Sequence, residues 1–275
     1  MIINIYLLNM IYNILLYGNC QLEELGNIIE PNKNYKIYNL KCWETNISKI
    51  EMVNLIKNMD LIIMHCVEDN YRNINHLSTT FIINNSNATT KFFIITNFYF
   101  PYYYFDSYYD PDSVFYYEYK ELKNYKSNKT KIKFINEVLY NEDFKSIEDL
   151  KKIEDYSFDQ LEKRLKIIEL YKKTYTNKNI EIINLIPFIK DNFKKELLFY
   201  SLNHPTEVLF HKLCEMINIK IENILVFNYE KQIFNFSKCL LYSCLQKDLE
   251  FDILKCDILI NKQTNIISFI NNYFS

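Results

Sequence analysis

The stretch Ile14-Leu15-Leu16-Tyr17-Gly18-Asn19-Cys20-Gln21 runs from apolar residues into a glycine, and the spacing Leu22, Leu25, Ile28, Ile29 follows it. That order reads as strand, tight turn, helix. The chain has two glycines, Gly18 and Gly26, and both fall in this neighbourhood. Glycine at the turn lets the backbone reverse sharply and sets Cys20 at a helix N-terminus. The positive end of the helix dipole and the backbone N–H groups there are expected to lower a thiol pKa and to prepare an oxyanion site. The plain alternative is a turn glycine beside an inert buried thiol, and residues 17–21 alone do not decide between the two.

Outward from the turn, Tyr35 to Leu40 alternates as a second strand and Ile47 to Lys57 carries helical spacing. Asp60 to His65 is a continuous apolar run, as expected for a strand covered on both faces. A loop with Glu68, Asp69, Tyr71 and Arg72 follows, then a short helix near Ile74 to Thr80 and a buried strand from Thr90 to Asn97. Strands alternating with helices predict an α/β fold, three layers deep (α/β/α) around a mainly parallel sheet. Ligands of such sheets lie beyond the C-terminal strand ends, where Cys20, the His65–Arg72 loop and Asn97 fall.

Residues 98–119, crowded with Tyr and Phe, read as an ordered loop ringing a pocket mouth. Asp106, Asp110 and Asp112 lack the glycine and terminal Glu of a Ca²⁺ loop, so no metal is expected. Residues 118–193 read as a helical insertion, with Ser157 as N-cap candidate before Leu161, Leu165, Ile168 and Tyr171, and an apolar end broken at Pro187. Pro205 opens a helix running to about Ile217, which leaves His204 on the loop before it. Residues 224–227 look like a strand and 266–274 like a final helix. Residues 1–10 are taken as an extension ahead of a single domain, 11–275.

Tyr, Phe, Asn, Ile and Lys abound, as AT-rich codons would produce, yet two arginines, Arg72 and Arg164, persist among 32 basic residues. Drift from Arg to Lys should spare positions that need a planar fork of donors. A net charge of -2 gives no reason to expect nucleic acid or an anionic membrane as partner. The apolar start, Met1 to Tyr17, lacks a basic leader and is interrupted by Asn4, Asn9 and Asn13, so no membrane insertion is expected. Seven cysteines without CxxC or Cys/His spacing imply free thiols in a reducing, cytoplasmic compartment.

Several motifs then fall in one order: Gly18-Asn19-Cys20-Gln21; His65-Cys66-Val67 to Tyr71-Arg72; Leu161-Glu162-Lys163-Arg164; and Leu198-Phe199-Tyr200 running into Asn203-His204-Pro205-Thr206. Over about residues 11 to 218 the chain resembles the WcbI family of polysaccharide biosynthesis acetyltransferases. The resemblance implies an SGNH-hydrolase-like fold, coenzyme A binding, and acetyl transfer from acetyl-CoA to a hydroxyl or amine of a sugar or polysaccharide precursor. It implies Cys20 at the nucleophile position and His204 as base, with Asn97 placed by position as the oxyanion-hole Asn. Gly18, Asn19, Gln21 and Asn203 belong to the same motifs and are read as cofactor-binding. Arg72 and Arg164 are candidates for the CoA phosphates, since a guanidinium fork matches phosphate geometry. His65 and His76 read as structural, and His211 is unassigned.

The chain departs from the hydrolases at Ser201, which stands where they place an Asp three residues before the His. The glycine of their second motif has no counterpart either. Two other classes stay open: a Cys-type carbohydrate esterase that uses water as acceptor, and a non-catalytic glycan- or nucleotide-binding module.

Overall fold

The computed structural model describes residues 11–44, 46–104, 107–110, 113–117, 147–221, 225–231, 245 and 247–251. The expected extension 1–10, the part of the helical insertion expected over 118–146 and the helix expected at 266–274 lie outside them. In chain order the elements are β1 (Tyr12–Gly18), α1 (Cys20–Ile28), β2 (Tyr35–Lys41), α2 (Lys49–Lys57), β3 (Leu61–Met64), α3 (Thr79–Asn85) and β4 (Lys91–Ile95). After these come β5 (Ser107–Asp110), β6 (Ser113–Tyr117), α4 (Ile147–Thr174), β7 (Asn179–Ile183), α5 (Ile186–Asn192) and α6 (Glu207–Lys220).

Five strands pair in parallel in the order β2-β1-β3-β4-β7, so the expected α/β class with a parallel sheet is what forms. Their side chains alternate between two covered faces, which is why runs such as Leu61–Met64 are apolar throughout. Leu15, Tyr17, Ile62, Met64, Phe92 and Ile94 share one face with Met52 and Ile56 of α2, Ile82 and Ile83 of α3, and Ile168 of α4. On the opposite face α1 closes on β1, where a Cβ at Gly26 would lie 3.1 Å from Leu16 Cδ1 and 2.6 Å from Asn39 Nδ2. Helices on both faces give the three layers. Each Leu, Ile or Phe fully buried this way contributes about 1.5–3 kcal/mol. Local signals agree with the packing: Ser48 and Glu51 close a capping box on α2, and Ser78 Oγ accepts from Phe81 N–H to cap α3.

The chain divides into two compact units. The first holds the sheet up to Asn97, Lys163–Leu185, and the described part of 210–233. The second holds the described parts of 98–162, 186–209 and 234–275. Its core is the aromatic segment. Phe98, Phe100, Tyr102, Tyr103 and Tyr104 are fully buried, and Phe100 packs on Phe199, Phe158 and Phe193 at centroid distances of 5.1, 5.2 and 5.7 Å. The phenol hydroxyls find buried acceptors: Tyr104 donates to Phe199 O at 2.8 Å and Tyr102 to Asp248 Oδ2 at 2.6 Å. The expected pocket mouth is therefore corrected over 98–104, since these rings are interior. β5 and β6 pair antiparallel with each other.

Two further corrections fall in 147–193. Asn179–Ile183, expected inside a helical insertion, is the edge strand β7, with Ile180 and Ile183 buried against β4. Ser157 does not cap a helix: it lies within α4, and its hydroxyl donates back to Ile153 O at 2.7 Å. The apolar stretch does divide near Pro187, between β7 and α5, where the proline sits in the first helical turn and its missing N–H has no intrahelical partner to lose.

Candidate functional site

In the order β2-β1-β3-β4-β7 the chain steps from β1 to one side for β2 and then to the other for β3. Crevices that take ligands open beyond the C-terminal strand ends at such a reversal. Gly18 ends β1, His65 follows β3, and Asn97 stands two residues past β4. Gly18 is needed for space rather than for an unusual backbone angle, because no glycine has positive φ. A Cβ there would lie 2.7 Å from His65 Nδ1 and 2.8 Å from Leu22 Cδ1. The His65 ring fills that space. It is buried, neither ring nitrogen has a hydrogen-bond partner among the described residues, and burial pushes its pKa down to about 3, so the imidazole is neutral.

Asn19 organises the turn. Its Oδ1 accepts from Gln21 N–H at 3.0 Å as the N-cap of α1, and its main-chain oxygen accepts from Leu22 and Glu23 N–H at 3.0 and 3.2 Å. A backbone N–H can meet only the oxygen of the Asn19 amide, so Nδ2 must face the other way, and it donates to Asn97 Oδ1 at 2.9 Å. That bond orients Asn97 in turn. With Oδ1 engaged, the Asn97 NH₂ group is left as a donor with no partner among the described residues. The Gln21 N–H, expected as an oxyanion donor, is taken by the cap, and both ends of the Asn19 amide are engaged.

The expectation of a low Cys20 pKa is corrected. Burial pushes the thiol up to about 11, the neighbouring Glu23 charge adds to this, and the N–H groups of Cys20 and Gln21 offset only part of it. Cys20 is a thiol at neutral pH. Arg72 is exposed, and its backbone is left-handed at φ 51°, between Asn70 at 59° and Asn73 at 62°. A non-glycine residue held there costs about 1–2 kcal/mol. Arg164 is half-buried on α4, and Glu162 of the same helix pairs with Lys190 at 2.7 Å.

In the second unit, residues 198–206 fold into a closed turn. Phe199 bridges Pro205, Tyr200 N–H donates to His204 O at 2.7 Å, Thr206 N–H to Leu198 O at 2.9 Å, and Phe100 N–H to Leu202 O at 2.7 Å. This holds His204, which is buried and pushed down to about 4 by that burial, and is therefore neutral. Ser201 Oγ lies 2.9 Å from His204 Nδ1. Sequence reasoning marked Ser201 only as a missing carboxylate, although a hydroxyl three residues before a turn histidine can make the same contact. Asn203, expected to bind cofactor, has its Oδ1 3.5 Å from Ser201 Oγ. The first unit thus assembles Gly18, Asn19, Cys20, Gln21 and Asn97, and the second assembles Ser201, Asn203 and His204. The first unit presents a thiol and an amide donor, and the second a neutral imidazole, each a group that acyl chemistry uses.

No curated protein sequence matches the chain. A solved structure of WcbI, described as a novel polysaccharide biosynthesis enzyme, is similar in fold: TM-score 0.67 at 17% identity, covering 88% of this chain and 81% of that one. That protein is described as native, without a disulfide bond between coenzyme A and one of its cysteines. The family described as polysaccharide biosynthesis enzyme WcbI matches residues 13–222, more than half of the chain, and this protein belongs to it.

Proposed function

We propose that the chain binds coenzyme A and transfers an acetyl group from acetyl-CoA to a hydroxyl or amine of a sugar or polysaccharide precursor. The observation that carries this reading is the Asn97 amide, turned by Asn19 so that its NH₂ group is presented as a donor beside the α1 N-terminus at the strand reversal. A donor fixed in advance stabilises the oxygen of a thioester carbonyl as negative charge builds on it. The residues present fit such a co-substrate: Asn97 for the carbonyl, and the exposed guanidinium of Arg72, with Arg164, for phosphates. Membership in the WcbI family supports the glycan class of acceptor. The mention of coenzyme A and a cysteine for the similar structure supports placing Cys20 beside the same molecule.

Acetyl-CoA supplies the acyl group as a thioester. His204, neutral at working pH, takes the acceptor's proton. Cys20 is protonated at neutral pH, so any acylation of its sulfur requires removal of that proton in the same step. None of the four described cysteines forms a disulfide.

Calorimetric titration with coenzyme A and acetyl-CoA is the direct test, followed by transfer of labelled acetyl to a glycan precursor. Saturable binding of both is the expected result, and absence of binding sinks the reading. Acetate release from acetylated glycans without coenzyme A would establish an esterase instead. A gain of one acetyl group on the enzyme incubated with acetyl-CoA alone, lost in Cys20→Ser, would show a covalent route, and its absence a direct one.

A further inference from the structure

The chain carries 24 tyrosines and 20 phenylalanines but a single tryptophan, Trp43. Where a ring has only to fill space, Tyr and Phe fill it, as Phe100 and Tyr102 to Tyr104 do in the core. Trp43 stands elsewhere, half-buried on the turn that follows β2. Among the described residues its ring packs on no other aromatic ring, and its indole N–H has no hydrogen-bond partner. A tryptophan held for the core normally satisfies that N–H, so an indole with an open polar tip and part of its face in solvent suits a ligand better than packing. Its place is set by the backbone. Lys41 pairs with Gly18 in register, and Cys42 N–H donates to Gly18 O at 2.8 Å. Gly18 leads into Asn19, whose amide donates to Asn97. Trp43 is therefore the next group outward from the Gly18–Gln21 turn along the C-terminal strand ends, about one strand spacing, 4.7–4.9 Å, to the β2 side.

Charged groups rim the ring. Lys41 Nζ stands 5.9 Å from its centroid, pairs with Glu23 Oε1 at 2.7 Å and feels the charge of the exposed Glu44 as well. A pyranose matches such a surface: its C–H face stacks on the indole, and its hydroxyls find donors and acceptors at the rim. Two carboxylates against one ammonium oppose the phosphorylated nucleotide of coenzyme A. Arg72, whose charge reaches Cys42, belongs to the loop after β3 and is the group that suits those phosphates. We infer that Trp43 is the stacking platform for the sugar acceptor. A neutral or amino-bearing pyranose lies on its face, with Glu23, Lys41 and Glu44 as partners for the hydroxyl or amino groups, and the reacting oxygen or nitrogen is directed toward the Gly18–Gln21 turn. The affinity of the ring for a sugar is independent of the chemistry that follows, whereas the sugar's part as acetyl acceptor rests on the acetyl-transfer reading.

Because the chain has one tryptophan, indole emission of the full-length protein reports this position alone. Titration with glucose, galactose, mannose, glucosamine and N-acetylglucosamine, and with disaccharides built from them, is the test. The expected result is a saturable change in emission with at least one of these sugars and none with coenzyme A alone. For that sugar, Trp43→Ala raises Kd and the acceptor KM by roughly ten- to a hundredfold, the Kd for coenzyme A stays as in wild type, and Trp43→Phe keeps most of the affinity. No change in emission with any of these sugars overturns the platform. A change with coenzyme A alone overturns it too, since the ring then serves the adenine. Wild-type emission decides both outcomes even where Trp43→Ala fails to fold. A sugar response in a protein that binds no coenzyme A leaves the platform standing and removes the transferase reading. Acetyl transfer to a sugar whose KM is the same in Trp43→Ala does the reverse.

Discussion

The turn at Gly18–Gln21 and the turn at Ser201–His204 each present a reactive side chain, and they are built by opposite means. The first depends on the absence of an atom: no Cβ at Gly18, so that a neutral, unpartnered imidazole fits behind it. The second depends on hydrogen bonds that close a loop over an aromatic core. A site made by close packing is sensitive to volume and tolerant of charge further off, whereas a bonded one is sensitive to each donor and to the core that carries it.

The largest effect should come from the core under the second turn. Phe100→Ala removes a ring stacked on Phe199 and is expected to cost about 3–5 kcal/mol in denaturant unfolding. A midpoint within error of wild type would mean that the turn does not lean on that core. Asn97→Ala comes next: the transfer rate should fall about 10²–10³-fold, roughly 2.7–4 kcal/mol of barrier, with unfolding little changed. Equal loss of stability and activity would make Asn97 a structural group and erase the contrast between the turns. Gly18→Ala is expected to destabilise by about 1–3 kcal/mol through the clash with His65 and Leu22, and shortening His65 to Ala in the same chain should recover part of it.

The smallest effect is the dependence on acid. The folded-state pKa of His65 is pushed down to about 3 from the ordinary 6.5, so the unfolded chain binds the proton more readily. Stability is therefore full above pH 6.5 and declines as pH falls from there toward 3, by roughly 1.4 kcal/mol at about pH 5.5 for this one group. His204, pushed down to about 4, adds a loss of the same sign over a narrower window. His65→Leu should flatten the slope of urea-derived stability between pH 7 and about 5, and an unchanged slope would show that the ring is not the buried base it is taken for.

The first four strands of the sheet could be read because runs such as Ile14–Tyr17 and Leu61–Met64 are buried on both faces, and such burial leaves an unbroken apolar signature. The fifth strand was hidden because its exposed edge carries Glu181, which pairs with Lys91 and Lys220, and a charged residue at that place reads as a helix surface. Ser157 misled for a related reason. A hydroxyl bonding to the carbonyl four residues back has the same spelling as a cap, and only the backbone tells them apart. Cys20, Asn97 and His204 could be proposed as candidates from position and resemblance, but the raised thiol and the direction of each amide could not be foreseen, since both follow from burial and bonds between distant residues.

Asn19 has one further consequence, for how the protein would age. Hydrolysis of its amide to a carboxylate leaves an oxygen to cap α1, so the helix and the fold would persist. The other oxygen would then confront Asn97 Oδ1 and force that amide to rotate, presenting an acceptor where the proposed acetyl transfer needs a donor. A preparation that had lost ammonia at this one position would melt as before and yet be spent.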